Sequence, residues 1–310
     1  MKRLFLGVLI AVVCFSSCMY SEPDRVVIPD KSSTLQWRLL LDETLLPFGD
    51  TRVMPPCLIN EPQVKGGGGE ELELTDLCQT IEYLVFDLDD AYRKVKHKVY
   101  EPEDEDFGIV YDSLPAGNYQ FVLMAHKAEA SEVIGQVMTF GQLSDTFYHT
   151  FTEEISVGEE VIVEKVLSRI VGMIEFVSTD QVPVGAEQLV IDITDYPCGL
   201  DLLTGYGIPS EEVVRKTFLF DPEDIGQSGH THGFYAFVPE EGAGMGLVLR
   251  TQKAGDVVMN ERTVTDVLPV ANRIRRYTGR LYTASDSEET FEITIADNGA
   301  WGEPIEENLE

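Results

Sequence analysis

Short runs of β-branched and aromatic residues, cut by turn residues, recur along almost the whole chain, and little of it carries the 3.6-residue spacing of an amphipathic helix. In the first half such runs occupy Leu35 to Leu41, Ile81 to Leu88, Tyr92 to Tyr100, Phe107 to Tyr111 and Gln120 to Ala125. In the second half they occupy Leu189 to Ile193, Thr217 to Phe220, Phe234 to Val238, Gly246 to Thr251, Thr263 to Leu268 and Phe291 to Ile295. Many short strands at turn-punctuated spacing predict an all-β protein built from sandwiches. Ser131 to Phe151 lacks the alternation and is expected to hold a short helix or loop. Val161 to Val177 contains two apolar runs broken at Ser168-Arg169 and Gly172, which places a domain boundary near Val166. The predicted plan is a β-sandwich over 34–165 and a second over 166–310. A body of that length suits two domains better than one.

The N-terminus predicts export. Lys2 and Arg3 precede an apolar run, Leu4 to Phe15, and small residues then lead into Cys18. That is the pattern of a signal peptide over 1–17 with a lipoprotein cleavage site. The run is too short to cross a bilayer core of about 30 Å as a helix. Cys18 is therefore the expected lipid attachment point, and multiple acyl chains such as palmitate would hold the chain on a membrane. Val13 before Cys14 is bulky where a small residue is needed. Residues 18–33 are polar and suit a flexible tether. Pro47, Pro55, Pro56 and Gly66 to Gly69 mark a long irregular excursion from Leu46 to Glu73.

With 44% hydrophobic and 25% charged residues the chain is globular, and its net charge of −31 repels phosphates. Nucleic acid is not an expected partner. The one dense basic cluster, Arg273, Arg275, Arg276 and Arg280, alternates with Ile274, Tyr277 and Leu281 and reads as the wet face of a strand. Cys57 and Cys78 can pair in an oxidising compartment, closing a loop of about 20 residues worth roughly 3 kcal/mol. Cys198 reads as a packed thiol. His230 and His232 share one face of an extended segment but lack an evident third ligand, so they read as a solvent-exposed loop and no metal is expected. The acidic stretches Asp87 to Asp90 and Glu101 to Asp106 lack calcium-loop spacing. Gly226-Gln227-Ser228-Gly229-His230 has its second glycine, Gly229, one place too early for a nucleophile elbow, Gly66 to Gly69 lacks the ending of a phosphate loop, and no cofactor is implied. Trp37, Trp301, Tyr206, Phe234 and Tyr235 could form an aromatic shelf for sugars, or lie in the core as sandwich aromatics more commonly do.

Four phrases occur in order behind the leader. They are Ile81-Glu82-Tyr83-Leu84-Val85-Phe86-Asp87, Tyr111 to Tyr119 with its Leu114-Pro115-Ala116-Gly117 turn, Leu167 to Phe176, and Tyr277-Thr278-Gly279-Arg280-Leu281 running on to Trp301. In this the chain resembles the fimbrillin-like anchor and adhesin lipoproteins of Bacteroidales, the accessory subunits of type V fimbriae. The resemblance implies two tandem transthyretin-like Greek-key β-sandwiches and a lipid anchor in the outer membrane. It also implies strand exchange with other fimbrial subunits, contact with host or bacterial surface ligands, and no catalysis. In the turn, Pro115 would fix φ and Gly117 relax it before a long strand. The excursion from Leu46 to Glu73 departs from the family's pattern. The alternative is a carbohydrate-binding surface lipoprotein of a glycan-capture system, resting on the aromatic shelf.

Overall fold

A computed structural model describes residues 33–41, 74–128, 130–241, 244–284 and 292–297, which belong to one compact unit beginning at Ser32. The first half holds β1 (Thr34–Leu41), a one-turn α1 (Leu74–Leu77), β2 (Thr80–Asp87), β3 (Arg93–Tyr100), β4 (Ile109–Asp112) and β5 (Gly117–His126). It continues with β6 (Ser131–Ile134), β7 (Val137–Phe140), β8 (Thr146–Ile155) and β9 (Glu160–Arg169). The second half holds β10 (Val171–Ser178), β11 (Gln188–Thr194), β12 (Pro197–Asp201), β13 (Gly207–Pro209), β14 (Val214–Leu219), β15 (Thr231–Phe237), β16 (Met245–Lys253), β17 (Val257–Val267), β18 (Arg273–Gly279) and β19 (Glu292–Asp297).

In the first half, seven strands run in the order β3-β2-β5-β8-β9-β1-β4. β8 and β9 pair only at Phe147 with Arg169 and at Tyr148 with Ser168, so the sheet folds there into two layers. Leu35, Trp37 and Leu39 of β1 face Tyr83, Val85, Phe121, Leu123 and Phe147 across a buried core. The second half places the sheets β14-β11-β16-β17 and β15-β10-β18-β19 around Ile174, Phe176, Ile191, Phe234, Leu247 and Tyr277.

The two halves follow one plan. β1 lies antiparallel to β4 and parallel to β9, and β10 lies antiparallel to β15 and parallel to β18. β2 is flanked by β3 and β5, with β8 beyond β5; β11 is flanked by β14 and β16, with β17 beyond β16. Strand for strand in chain order the pairings repeat apart from the β8–β9 corner, and among the described residues β19 is the one strand added in the second sandwich. The all-β, two-sandwich expectation holds.

A fourth sheet, β13-β12-β7-β6, takes two strands from each half, joined by pairing of Gly199, Leu200 and Asp201 with Thr139, Met138 and Val137. Under it Leu84, Phe86, Val122, Met124, Tyr148, Leu200, Leu202 and Phe237 form a third core. This explains the apolar runs Tyr83 to Phe86 in β2 and Phe121 to Ala125 in β5. A strand covered on both faces has no wet side to mark with polar residues. The Tyr148 hydroxyl donates to the Leu202 carbonyl at 2.8 Å and the Gln120 amide to that of Leu203 at 2.8 Å, fastening the halves.

Three expectations are corrected. Ser131 to Phe151 is neither helix nor loop but β6, β7 and most of β8. Gly135, at φ 62°, opens a two-residue connection from Ile134 to Val137, the place a tight hairpin turn gives to glycine. Gly117 does not take a positive φ. It begins β5, and a Cβ there would come within 3.1 Å of the Tyr119 hydroxyl, so the position requires space rather than freedom. The arginines of β18 are not a wet face, because β18 is flanked by β10 and β19 and its arginines are half-buried. Arg276 reaches the buried Glu175 carboxylate through Nε at 2.9 Å and Nη2 at 2.7 Å.

Candidate functional site: the β1 seat and its surroundings

The first described strand is held as an insert. β1 occupies the gap between β4 and β9, in register from Thr34 opposite Glu160 to Leu41 opposite Leu167. Its alternation drives this placement: Leu35, Trp37 and Leu39 are buried, whereas Thr34 and Arg38 are exposed. Trp37 anchors the strand. Its ring meets Phe121 and Phe151 edge-on at 5.4 and 5.1 Å, and the Lys165 ammonium covers Trp37 and Phe151, 5.3 and 3.6 Å from their ring centres. Arg38 and Glu164 lie 3.6 Å apart on the exposed face, a pairing worth little in water.

A polar site that the sequence reading missed lies on the opposite side of the β2 layer. Glu82 is fully buried, and its carboxylate accepts from His97 of β3, from His126 of β5 at 3.3 Å and from Ser131 of β6. Ala128 N donates to His126 Nδ1 at 3.1 Å, so the proton of the neutral ring sits on Nε2, facing Glu82. Burial by itself would raise the Glu82 carboxyl; the hydrogen bonds from His126, His97 and Ser131 outweigh it and hold it down at about 2. A folded-state value below the ordinary 4.5 means that this stabilisation is complete above that pH and disappears as pH falls towards 2. The shift corresponds to roughly 3 kcal/mol. Melting temperature should therefore fall between pH 5 and 2, and Glu82→Gln should flatten that part of the curve; an unchanged slope would remove Glu82 as its source. The available signal was one charged residue inside the run Ile81 to Phe86.

The other candidates are scattered. Cys18, Cys57 and Trp301 lie outside the described residues. Cys78 is buried beneath α1, its thiol donates to the Leu74 carbonyl at 3.5 Å, and burial pushes it up to about 12. Cys198 packs as a thiol against the second core. The reading of His230 and His232 as an exposed loop is wrong for His232. That ring is buried among Phe218, Phe220 and Tyr282, with Nε2 2.7 Å from the Tyr282 hydroxyl, and burial drives its pKa down to about 3. Among the described residues no group of His, Cys, Asp and Glu is arranged to hold a metal. The Gly226 to His230 stretch forms a turn whose Gly229 and His230 amides donate to Ser178 Oγ at 3.1 and 3.0 Å. The aromatic shelf is not assembled. Trp37 belongs to the first core, Phe234 to the second and Tyr235 to the third, and of the described members only Tyr206 is exposed.

This architecture has counterparts among solved structures. A polysaccharide-binding candidate from Bacteroides thetaiotaomicron is similar, with a TM-score of 0.51 at 11% identity, over 88% of this chain and 98% of its own. The shared feature is the fold. The fimbrial anchor protein Mfa2 from Porphyromonas gingivalis matches with a TM-score of 0.48 at 12% identity, over 89% of this chain and 100% of its own. A fimbrial assembly protein from Parabacteroides distasonis matches with a TM-score of 0.42 at 12% identity, over 89% and 99%. No protein-family model and no curated protein matches the sequence.

Proposed function

We propose that the chain is a non-catalytic anchor or accessory subunit of a surface fimbria, held to the outer membrane by lipid on Cys18 and joined to other subunits by strand exchange. The observation that carries this reading is the β1 seat. An alternating strand lies next to the tether and is inserted between two strands distant in sequence, an arrangement in which one strand can be replaced by another of the same pattern. The division into domains of residues 34–165 and 166–310 belongs to the same proposal, as does the pairing of Cys57 with Cys78. Support comes from the ordered phrases that resemble fimbrial lipoproteins, and from similarity in structure to a fimbrial anchor protein and a fimbrial assembly protein. The carbohydrate-binding alternative has the description of the Bacteroides thetaiotaomicron protein in its favour and the dispersed aromatic residues against it.

Cys18→Ala tests the proposal. The variant should leave the membrane fraction and appear in the medium, and surface filaments should be shed with it. Continued sedimentation with membranes after a carbonate wash would contradict the lipid anchor, and filaments retained at normal number would contradict the anchoring role.

A further inference from the structure

The duplicated plan exposes a difference between the two sandwiches. In the second, the outer edge of β18 is covered by β19, antiparallel, with Ile293 opposite Tyr277 and Asp297 opposite Arg273. The equivalent edge in the first belongs to β9, and among the described residues nothing pairs with it from Glu160 to Leu167 on the side away from β1. The side chains there are correspondingly open. Val163 points inward, in register with buried Trp37, yet is 42% exposed, and Ile162 and Val166 on the outer face are 63% and 47% exposed. Phe151 and Val161 lie half-buried at the same gap. Unpaired backbone beside exposed β-branched side chains is a template for another strand.

Charge selects the strand. In the second sandwich a basic strand, with Arg273, Arg275 and Arg276, is covered by one that begins at Glu292 and ends at Asp297. At the open edge the signs are reversed: Glu160 and Glu164 share the outer face of β9, and Glu153 and Glu154 are exposed on β8. We infer that the outer edge of β9 is a docking site for an extended segment of a different protein, added antiparallel, with apolar residues facing Val161 and Val163 and basic residues alternating beside Glu160 and Glu164. A second copy could offer its basic edge strand β3, but Lys94, Lys96 and Lys98 there are already engaged by the Val133 carbonyl, Asp112 and the Tyr111 carbonyl of their own chain, so a second copy is disfavoured. This surface is separate from the β1 seat and does not depend on membership of a fimbria.

The test uses the full chain with two fluorescent eight-residue probes matched to the paired length of β9, one alternating isoleucine with lysine and the other isoleucine with glutamate. The lysine probe should bind at least about tenfold tighter at low salt and should slow amide exchange within residues 160–167. Glu160→Lys combined with Glu164→Lys, both at exposed positions, should reverse the preference. Equal binding of the probes, protection elsewhere, or protection in the probe-free monomer of those alternate amides of 160–167 that point away from β1 would overturn the proposal. Concentration-dependent self-association that protects the same amides would make the occupant a second copy and overturn it also.

Discussion

Arg169→Met should cost about 3 to 5 kcal/mol, because it leaves a carboxylate stranded at the corner that joins the two sandwiches. Arg169 ends β9 with its side chain fully buried. Nε and Nη2 donate to Asp145 Oδ1 and Oδ2 at 2.6 and 2.8 Å, Nη1 donates to Asn272 Oδ1 at 2.7 Å, and the guanidinium lies 4.9 Å from the centre of the Phe147 ring. One side chain thus links the start of β8, the end of β9 and the turn before β18. Burial pushes the Asp145 carboxyl up even with Arg169 present, so without that partner the site must either protonate or open to water. For a domain of this size the loss corresponds to a fall of about 10 °C or more in Tm. Arg169→Met combined with Asp145→Leu should recover much of it, because replacing both charges removes the stranded one. Thermal melts of the single and double variants decide the matter. A single variant within about 1 kcal/mol of the parent would show that the corner does not depend on the pair.

Trp37→Ala should cost a similar amount, about 3 to 5 kcal/mol, by emptying the centre of the first core. The indole is completely buried, and it supplies the aromatic contacts of β1 with Phe121 and Phe151. Nothing else in β1 is as large, so the cavity should loosen the whole strand. Limited proteolysis should then cut near residues 33–41 before it cuts elsewhere. Trp37→Phe should lose less, since it keeps an aromatic ring in the same place. Resistance of the alanine variant to both heat and protease would mean that β1 is held by its backbone ladder alone.

The strand pattern was legible where a strand's neighbours leave their mark on its own residues. β1 alternates because it has one buried face, and β9 and β10 appear as two runs because the chain changes sheets at Ile170. β6, β7, β12 and β13 were not legible. Each has three to five residues, β12 opens on Pro197 and contains Gly199, and their order comes from pairing across the two halves. The apolar runs of β2 and β5 marked them as strands, but the second layer that buries their outer face is built from residues far along the chain. The same cause hid Glu82. His97, His126 and Ser131 reach it from three other strands, whereas the adjacent pair His230 and His232 drew notice through spacing that the fold does not use for a metal. Arg169 read as a break between apolar runs, and its partners Asp145 and Asn272 carry no local signature at all.

Immunogold electron microscopy of intact cells carrying the tagged full chain tests the central claim most directly. The account predicts label at the bases or along the shafts of surface filaments. Label spread evenly over the outer membrane, with filaments unmarked, would contradict it.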